Sequence, residues 1–250
     1  MFSVPVSQQL TVRPNTLERS IRKEHFCKDR RLETYLQQVE HTLSNLKLKI
    51  YQDHASVLAR IKQTLIDLEI AQIKQLAIDK GVWDFYPTCD RVIDKMICVA
   101  EIQPHHRVLE PSAGAGNLAR AIAEKGNSQI DCFEIDYLLQ KALNLQGFNS
   151  IGGNFLVGIP QPVYDRVIAN PPFSSNGVAR HTQHAFKFLK PGGKLITLSH
   201  HYNLKPSHSD KQFFAWLKSK KAKFLNLGRA FSDSDRSTNV GIQLIAINKS

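Results

Sequence analysis

The sequence predicts an α/β fold, a mostly parallel sheet with helices on both faces, behind an α-helical N-terminal extension. Three observations carry this. From Gly81 onward, short apolar runs alternate with amphipathic stretches and turn residues, the signature of βα units. The run Arg107-Val108-Leu109-Glu110 passes through a Gly114-Ala115-Gly116 turn into the apolar-periodic stretch 117–122, a strand–turn–helix unit of nucleotide-binding type. Between Pro14 and Gly81 there is neither Gly nor Pro, and Leu43, Leu46, Ile50, Val57, Ile61, Leu65 and Leu68 recur at helical spacings.

Two regions follow, a helical one over 1–80 and an α/β one over 81–250. A short first helix is expected over 16–26. One continuous helix over 30–80 would span roughly 75 Å, far more than the α/β region is wide, so a break or antiparallel hairpin is expected near Ser44-Asn45. The stripe shows burial but not its partner. It fits a substrate clamp, a partner-binding arm or a dimer coil as well as a cap on the sheet. In the α/β region, a helix over 89–100 places Val92, Ile93, Met96 and Ile97 on one side. Seven strands are expected near 107–110, 130–134, 149–152, 166–170, 194–199, 223–228 and 242–248. Segments 174–177 and 200–210 are loops at strand carboxyl ends, where open α/β sheets bind ligands. Lys218, Lys220, Lys221 and Lys223 are either a phosphate contact or a solvated helix end.

The chemistry lies at those strand ends. Asn170-Pro171-Pro172-Phe173 closes an apolar strand. Two prolines fix φ and remove amide donors, so the turn is rigid and presents carbonyl acceptors. The Asn170 oxygen adds another acceptor. Two acceptors aimed at one NH2 group draw its lone pair out of ring conjugation, and Phe173 offers a face for a planar base or amide. Upstream, Gly114 and Gly116 admit a ligand close to the backbone. Glu110, at the tip of its strand, would repel a pyrophosphate but suits a ligand carrying a cation. Glu134 ends the next strand, 24 residues on, where a carboxylate grips ribose hydroxyls. Asn154 and Phe155, after Gly152-Gly153, suit the edge and face of an adenine ring.

Together these motifs resemble the class I S-adenosylmethionine-dependent methyltransferases of the amino-methylating branch, the N6-adenine DNA enzymes and their small phage- and plasmid-type relatives above all. The resemblance covers roughly 82–249, through Tyr86-Pro87-Thr88, Leu109-Glu110-Pro111-Ser112-Ala113-Gly114, the Asn-Pro-Pro-Phe turn and Leu189-Lys190-Pro191-Gly192-Gly193. It implies a Rossmann-like seven-stranded sheet with an antiparallel last strand, and S-adenosyl-L-methionine as cofactor. It implies cofactor contacts from Tyr86, Pro87, Thr88, Glu110, Ser112, Gly114, Gly116, Asn117, Leu118, Glu134, Ile135, Asn154 and Phe155. It implies that Asn170, Pro171, Pro172 and Phe173 hold the target nitrogen, with no metal. Two positions depart from the pattern: Asn154 replaces an aspartate, and Cys89 stands where proline often follows Tyr-Pro-Thr.

Composition fits a nucleic-acid partner: 33 Lys+Arg against 22 Asp+Glu gives a formal charge of +11. The four cysteines form no Cys-x-x-Cys pair, and no apolar run is long enough to span a bilayer. The N-terminus lacks a signal-peptide pattern, so the expected compartment is the cytoplasm. The expected activity is methylation of a base amino nitrogen, N6 of adenine in DNA first, with N4 of cytosine and N2 of guanine open. RNA base methylation, protein glutamine N5-methylation and a catalytically dormant partner subunit are the rivals. Homo-oligomer or partner contacts would fall to the N-terminal helices.

Overall fold

The computed structural model describes residues 30–49, 54–82, 84–127, 129–148, 150–200, 207–231 and 240–250. Two helices, α1 (Arg30–Lys49) and α2 (His54–Asp79), come first, followed by α3 (Asp90–Ala100). Then come β1 (Val108–Glu110), α4 (Asn117–Glu124), β2 (Ile130–Phe133), α5 (Tyr137–Leu145), β3 (Ser150–Gly152) and β4 (Tyr164–Ala169). The chain finishes with α6 (Gly177–Phe188), β5 (Leu189–His200), α7 (His208–Ser219), β6 (Lys223–Gly228) and β7 (Ile242–Asn248).

The seven strands form one sheet in the order β3-β2-β1-β4-β5-β7-β6. β1 pairs in parallel with β2 and β4, and β4 with β5, while β7 runs antiparallel between β5 and β6. All seven expected strands form, and the antiparallel last strand is present. β5 begins five residues earlier than expected, because Leu189 already pairs with Tyr164 and the Gly192-Gly193 bend exchanges backbone hydrogen bonds with Lys249 (2.7 and 2.8 Å).

Alternation along the strands makes two cores. Val108, Ile168, Ile196 and Leu198 pack with α3 (Val92, Ile93, Met96) and α4 (Leu118, Ile122) on one face. Leu109, Val167 and Leu195 pack with α6 (Val178, Ala185, Phe188) and α7 (Phe213, Leu217) on the other. Since β1 has β2 on one side and β4 on the other, the connections reverse direction there. The carboxyl ends of β1 and β4 therefore flank a topological switch point.

Two compact units divide between Thr64 and Leu65, inside α2. In the first, α1 runs straight through Ser44-Asn45 and ends at Lys49, and α2 begins at His54, so 30–80 is not one helix but the break falls later than expected. Ser and Asn cost a helix interior only a few tenths of a kcal/mol and do not end one. The expected helix over 16–26 lies outside the described residues. In the second unit the buried stripe of α2 is Ile70, Ile73 and Ala77, with Ile66 half-buried beside it, and Leu65 is exposed. The sequence offers two apolar stripes one residue apart, and the isoleucine stripe is the one that packs, against Phe85, Ala115, Leu139 and Ala142. Among the described residues no helix is long and apolar enough to cross a membrane.

Candidate active site

A cavity of about 290 Å³ opens at the switch point. Of the residues expected to hold the cofactor, all but Gly116 line it. A second cavity of about 150 Å³ adjoins it, lined by Tyr86, Phe173, Phe231, Pro171, Val240 and Ile242, and the two share Asp84, Tyr86 and Asn170.

Asn170 stands between the cavities. Its Nδ2 donates to the Tyr86 carbonyl (3.1 Å) and to the Thr88 hydroxyl (3.1 Å). A carbonyl cannot donate, so this network fixes which end of the amide is nitrogen. The oxygen is left without a protein donor among the described residues. Segment 86–88 is tied on its other side to α4, where Asn117 Nδ2 donates to the Thr88 carbonyl (3.3 Å). One short segment thus joins the Gly-x-Gly turn to the Asn-Pro-Pro-Phe turn.

Glu110 is 2 % exposed and ends β1. One carboxylate oxygen accepts from the Ala119 amide in the first turn of α4; Oε2 is buried with no partner among the described residues. Burial drives this carboxyl well above the ordinary carboxylate range, the Ala119 hydrogen bond opposes the shift, and the Glu134 charge adds to it. Glu134 is also raised by burial, against the amides of Asp136 (2.8 Å) and Gly114 (2.7 Å), which donate to its two oxygens. Among the described residues no ion pair reaches either acid. Two buried acids and an unpartnered carboxylate oxygen make a site for a cation.

Several expected residues have other duties as well. Gly116 caps α4 at φ 85, and a Cβ there would meet Leu143 at 2.9 Å and Gln146 at 3.0 Å. It is therefore a helix-packing glycine, not part of the cavity wall. Asn154 Oδ1 accepts from the Leu156 amide (3.0 Å), so an adenine amino group would share that oxygen. Phe155 is a core ring against Phe133, Phe188 and His184 that presents only part of itself to the cavity. Ile135 is 69 % exposed at the rim. Phe173 and Pro171 line the smaller cavity, with the Phe173 ring 6.0 Å from that of His200.

Sequence reasoning missed four residues. Asp84 takes both the amide (3.1 Å) and the hydroxyl of Ser174, pinning the loop after the Asn-Pro-Pro-Phe turn. Gly177 starts α6 so close to that turn that a Cβ would stand 2.3 Å from the Pro172 carbonyl oxygen. Arg180 and His181, on the first turns of α6, line the larger cavity. The one signal for His181 was its position among Val178, Ala179 and Ala185, where a polar ring interrupts an apolar face.

No protein-family profile matches the chain. A "probable ribosomal RNA small subunit methyltransferase A" of Methanosarcina barkeri is 28 % identical over 136 residues, 52 % of this chain and 45 % of that protein, so the chain spans less than half of this relative. Among solved structures, "a modification subunit of a putative type I restriction enzyme" from Vibrio vulnificus superposes with a TM-score of 0.57 over 79 % of this chain and 50 % of that one, at 15 % identity. A geranyl diphosphate C-methyltransferase from Streptomyces coelicolor, solved with S-adenosyl-L-homocysteine, gives 0.50 over 64 % and 79 % at 12 % identity. Enzymes with such different substrates share the architecture, so the likeness speaks for the fold and the reaction must be read from the site. The seven-stranded sheet and its flanking helices are the class I S-adenosylmethionine-dependent methyltransferase fold.

Proposed function

We propose that the chain is an S-adenosylmethionine-dependent N-methyltransferase whose target is an amino nitrogen of a nucleic-acid base. RNA is the first reading and N6 of adenine in DNA the second. Asn170 carries the proposal: its amide nitrogen is bound on the protein side, and its oxygen is left for a donor at the meeting point of the two cavities. The cofactor fits the larger cavity because Glu110 Oε2 is a buried acceptor in want of a cation. Glu110 would face the ammonium and sulfonium end and Glu134 the ribose hydroxyls. Ile135, Asn154 and Phe155 would take the adenine. When bound, the cofactor supplies an electrophilic methyl group.

The protein's part is alignment. Asn170 Oδ1 and the Pro171 carbonyl accept from the target NH2, which frees its lone pair and points it across the junction. Holding two reactants in register lowers the barrier by up to roughly 7–11 kcal/mol without a strong base. The smaller cavity, with Tyr86, Phe173 and Phe231 in its walls, suits a flat aromatic base better than an extended glutamine side chain. The formal charge of +11 favours a polyanion of either kind. RNA takes first place because the curated relative is named for ribosomal RNA. The DNA reading rests on the likeness of the Asn-Pro-Pro-Phe turn to the N6-adenine enzymes. Recognition of the nucleic acid, or self-association, belongs to the N-terminal helices in the same proposal.

The test is methyl transfer from labelled S-adenosylmethionine to RNA and DNA in parallel, with the nucleosides resolved by mass spectrometry. An N-methylated base in RNA supports the first reading, and one in DNA alone moves it to the second. Label in neither nucleic acid but on a protein glutamine overturns both.

A further inference from the structure

We propose that His181 is a further cofactor-binding residue whose imidazole makes a hydrogen bond with the edge of the cofactor's adenine ring. The inference rests on the S-adenosylmethionine reading above and assigns a contact beyond it. His181 is 9 % exposed and lines the larger cavity. Its ring centroid lies 5.8 Å from that of Phe155, next in sequence to Asn154, so it stands at the adenine end and not at the Glu110 end. Nδ1 is buried and has no hydrogen-bond partner among the described residues. The contrast on the same helix face is His184, whose Nε2 meets the Gly158 carbonyl at 3.0 Å.

A buried ring nitrogen without a partner destabilises the free protein, and a phenylalanine would have continued the apolar face of α6 without that cost. The residue makes physical sense if a ligand supplies the missing partner. Burial pushes the imidazole down to about 4, so it is neutral near pH 7, with one donor and one acceptor nitrogen. A neutral ring is poorly matched to the cationic end of the cofactor. An adenine edge offers both an amino donor and ring-nitrogen acceptors, so either tautomer finds a partner there.

Calorimetry with S-adenosyl-L-homocysteine and with 5′-methylthioadenosine, which keeps adenine and ribose but lacks the amino-acid end, tests this on the full chain. His181→Phe keeps the ring and removes both nitrogens. It is expected to weaken both ligands by the same factor, roughly ten-fold, while the melting temperature of the ligand-free protein stays level or rises. His181→Asn sets an amide nitrogen the same number of bonds from Cα as Nδ1 and is expected to recover most of the affinity. Wild-type binding that His181→Phe leaves unchanged overturns the His181 contact and spares the cofactor reading. So does a loss of affinity that comes with a lower melting temperature and no rescue by His181→Asn. A wild-type chain that binds neither ligand overturns both.

Discussion

The side-chain amide of Asn170 donates to the Thr88 hydroxyl at 3.1 Å, so the turn that closes β4 and the segment that leads into α3 are one hydrogen-bonded unit. The walls of the two cavities are thereby joined through a single side chain. Read from sequence alone, Asn170 belonged to the target amine. The structure gives its nitrogen partners on the wall of the larger cavity.

Asn170→Ala is expected to lower turnover by about 100-fold or more, since it removes one of two acceptors that align the amine. It should also weaken cofactor binding several-fold, because Tyr86 and Thr88 lose their tie. Thr88→Val removes only the hydroxyl and is expected to reproduce the cofactor effect with a much smaller loss of turnover. Single-turnover kinetics combined with calorimetry separates the two. Equal turnover losses in the two variants would place the role of Asn170 in the loop and not at the amine.

Gly177→Ala introduces a Cβ 2.3 Å from the Pro172 carbonyl oxygen, a backbone atom that cannot step aside without moving the turn. Helix propensity favours alanine by up to about 1 kcal/mol at such a position, yet the collision costs about 1–3 kcal/mol. The expected outcome is a protein that still binds S-adenosyl-L-homocysteine but transfers methyl groups poorly. Full activity in the variant would show that the turn tolerates displacement.

The strands were legible because most contain a short apolar run with Gly, Pro or Asn close by, and the sheet order turns on one switch point. The cavity-lining loops were legible because Gly-x-Gly opens backbone shapes that other residues rarely adopt and Pro-Pro restricts its own. Distances between segments far apart in sequence were not. Gly116 looked like a ligand-approach glycine until Leu143 on α5 and Gln146 just after it were seen against it. Asp84 gave no signal at all, since its partner Ser174 lies 90 residues away. The course of α1 through Ser44-Asn45 was missed because local propensity there is too weak to decide.

Glu110 is expected to make cofactor binding proton-linked. In the free protein, burial holds its carboxyl protonated well above the ordinary value of 4.5. Folding therefore takes up a proton, and the stability of the ligand-free protein falls as pH rises from that value towards the raised one. A bound cation favours the carboxylate, so binding expels a proton and affinity rises with pH across the same window. Calorimetry of S-adenosylmethionine in two buffers of different ionisation enthalpy reads the proton directly. Release should be absent with 5′-methylthioadenosine, which lacks the charged end, and absent in Glu110→Gln. Equal release with both ligands would assign it to Glu134 at the ribose instead.

Where the N-terminal region ends decides how it can be removed. The last turns of α2 contribute Ile70, Ile73 and Ala77 to a cluster with Phe85, Ala115 and Leu139, three residues that also line the larger cavity. Burial of the two isoleucines alone is worth about 3–6 kcal/mol, a large part of the stability of an ordinary domain. A fragment over 65–250 is therefore expected to fold and to bind S-adenosyl-L-homocysteine like the full chain. A fragment over 81–250 should melt far lower and bind the ligand weakly or not at all. If recognition of the nucleic acid belongs to the first unit, the 65–250 fragment also loses substrate affinity or self-association while keeping the cofactor. Gel-shift and sedimentation measurements on the two fragments beside the full chain check this. Unchanged substrate binding and unchanged mass per particle in the 65–250 fragment would leave the first 64 residues without a role in recognition.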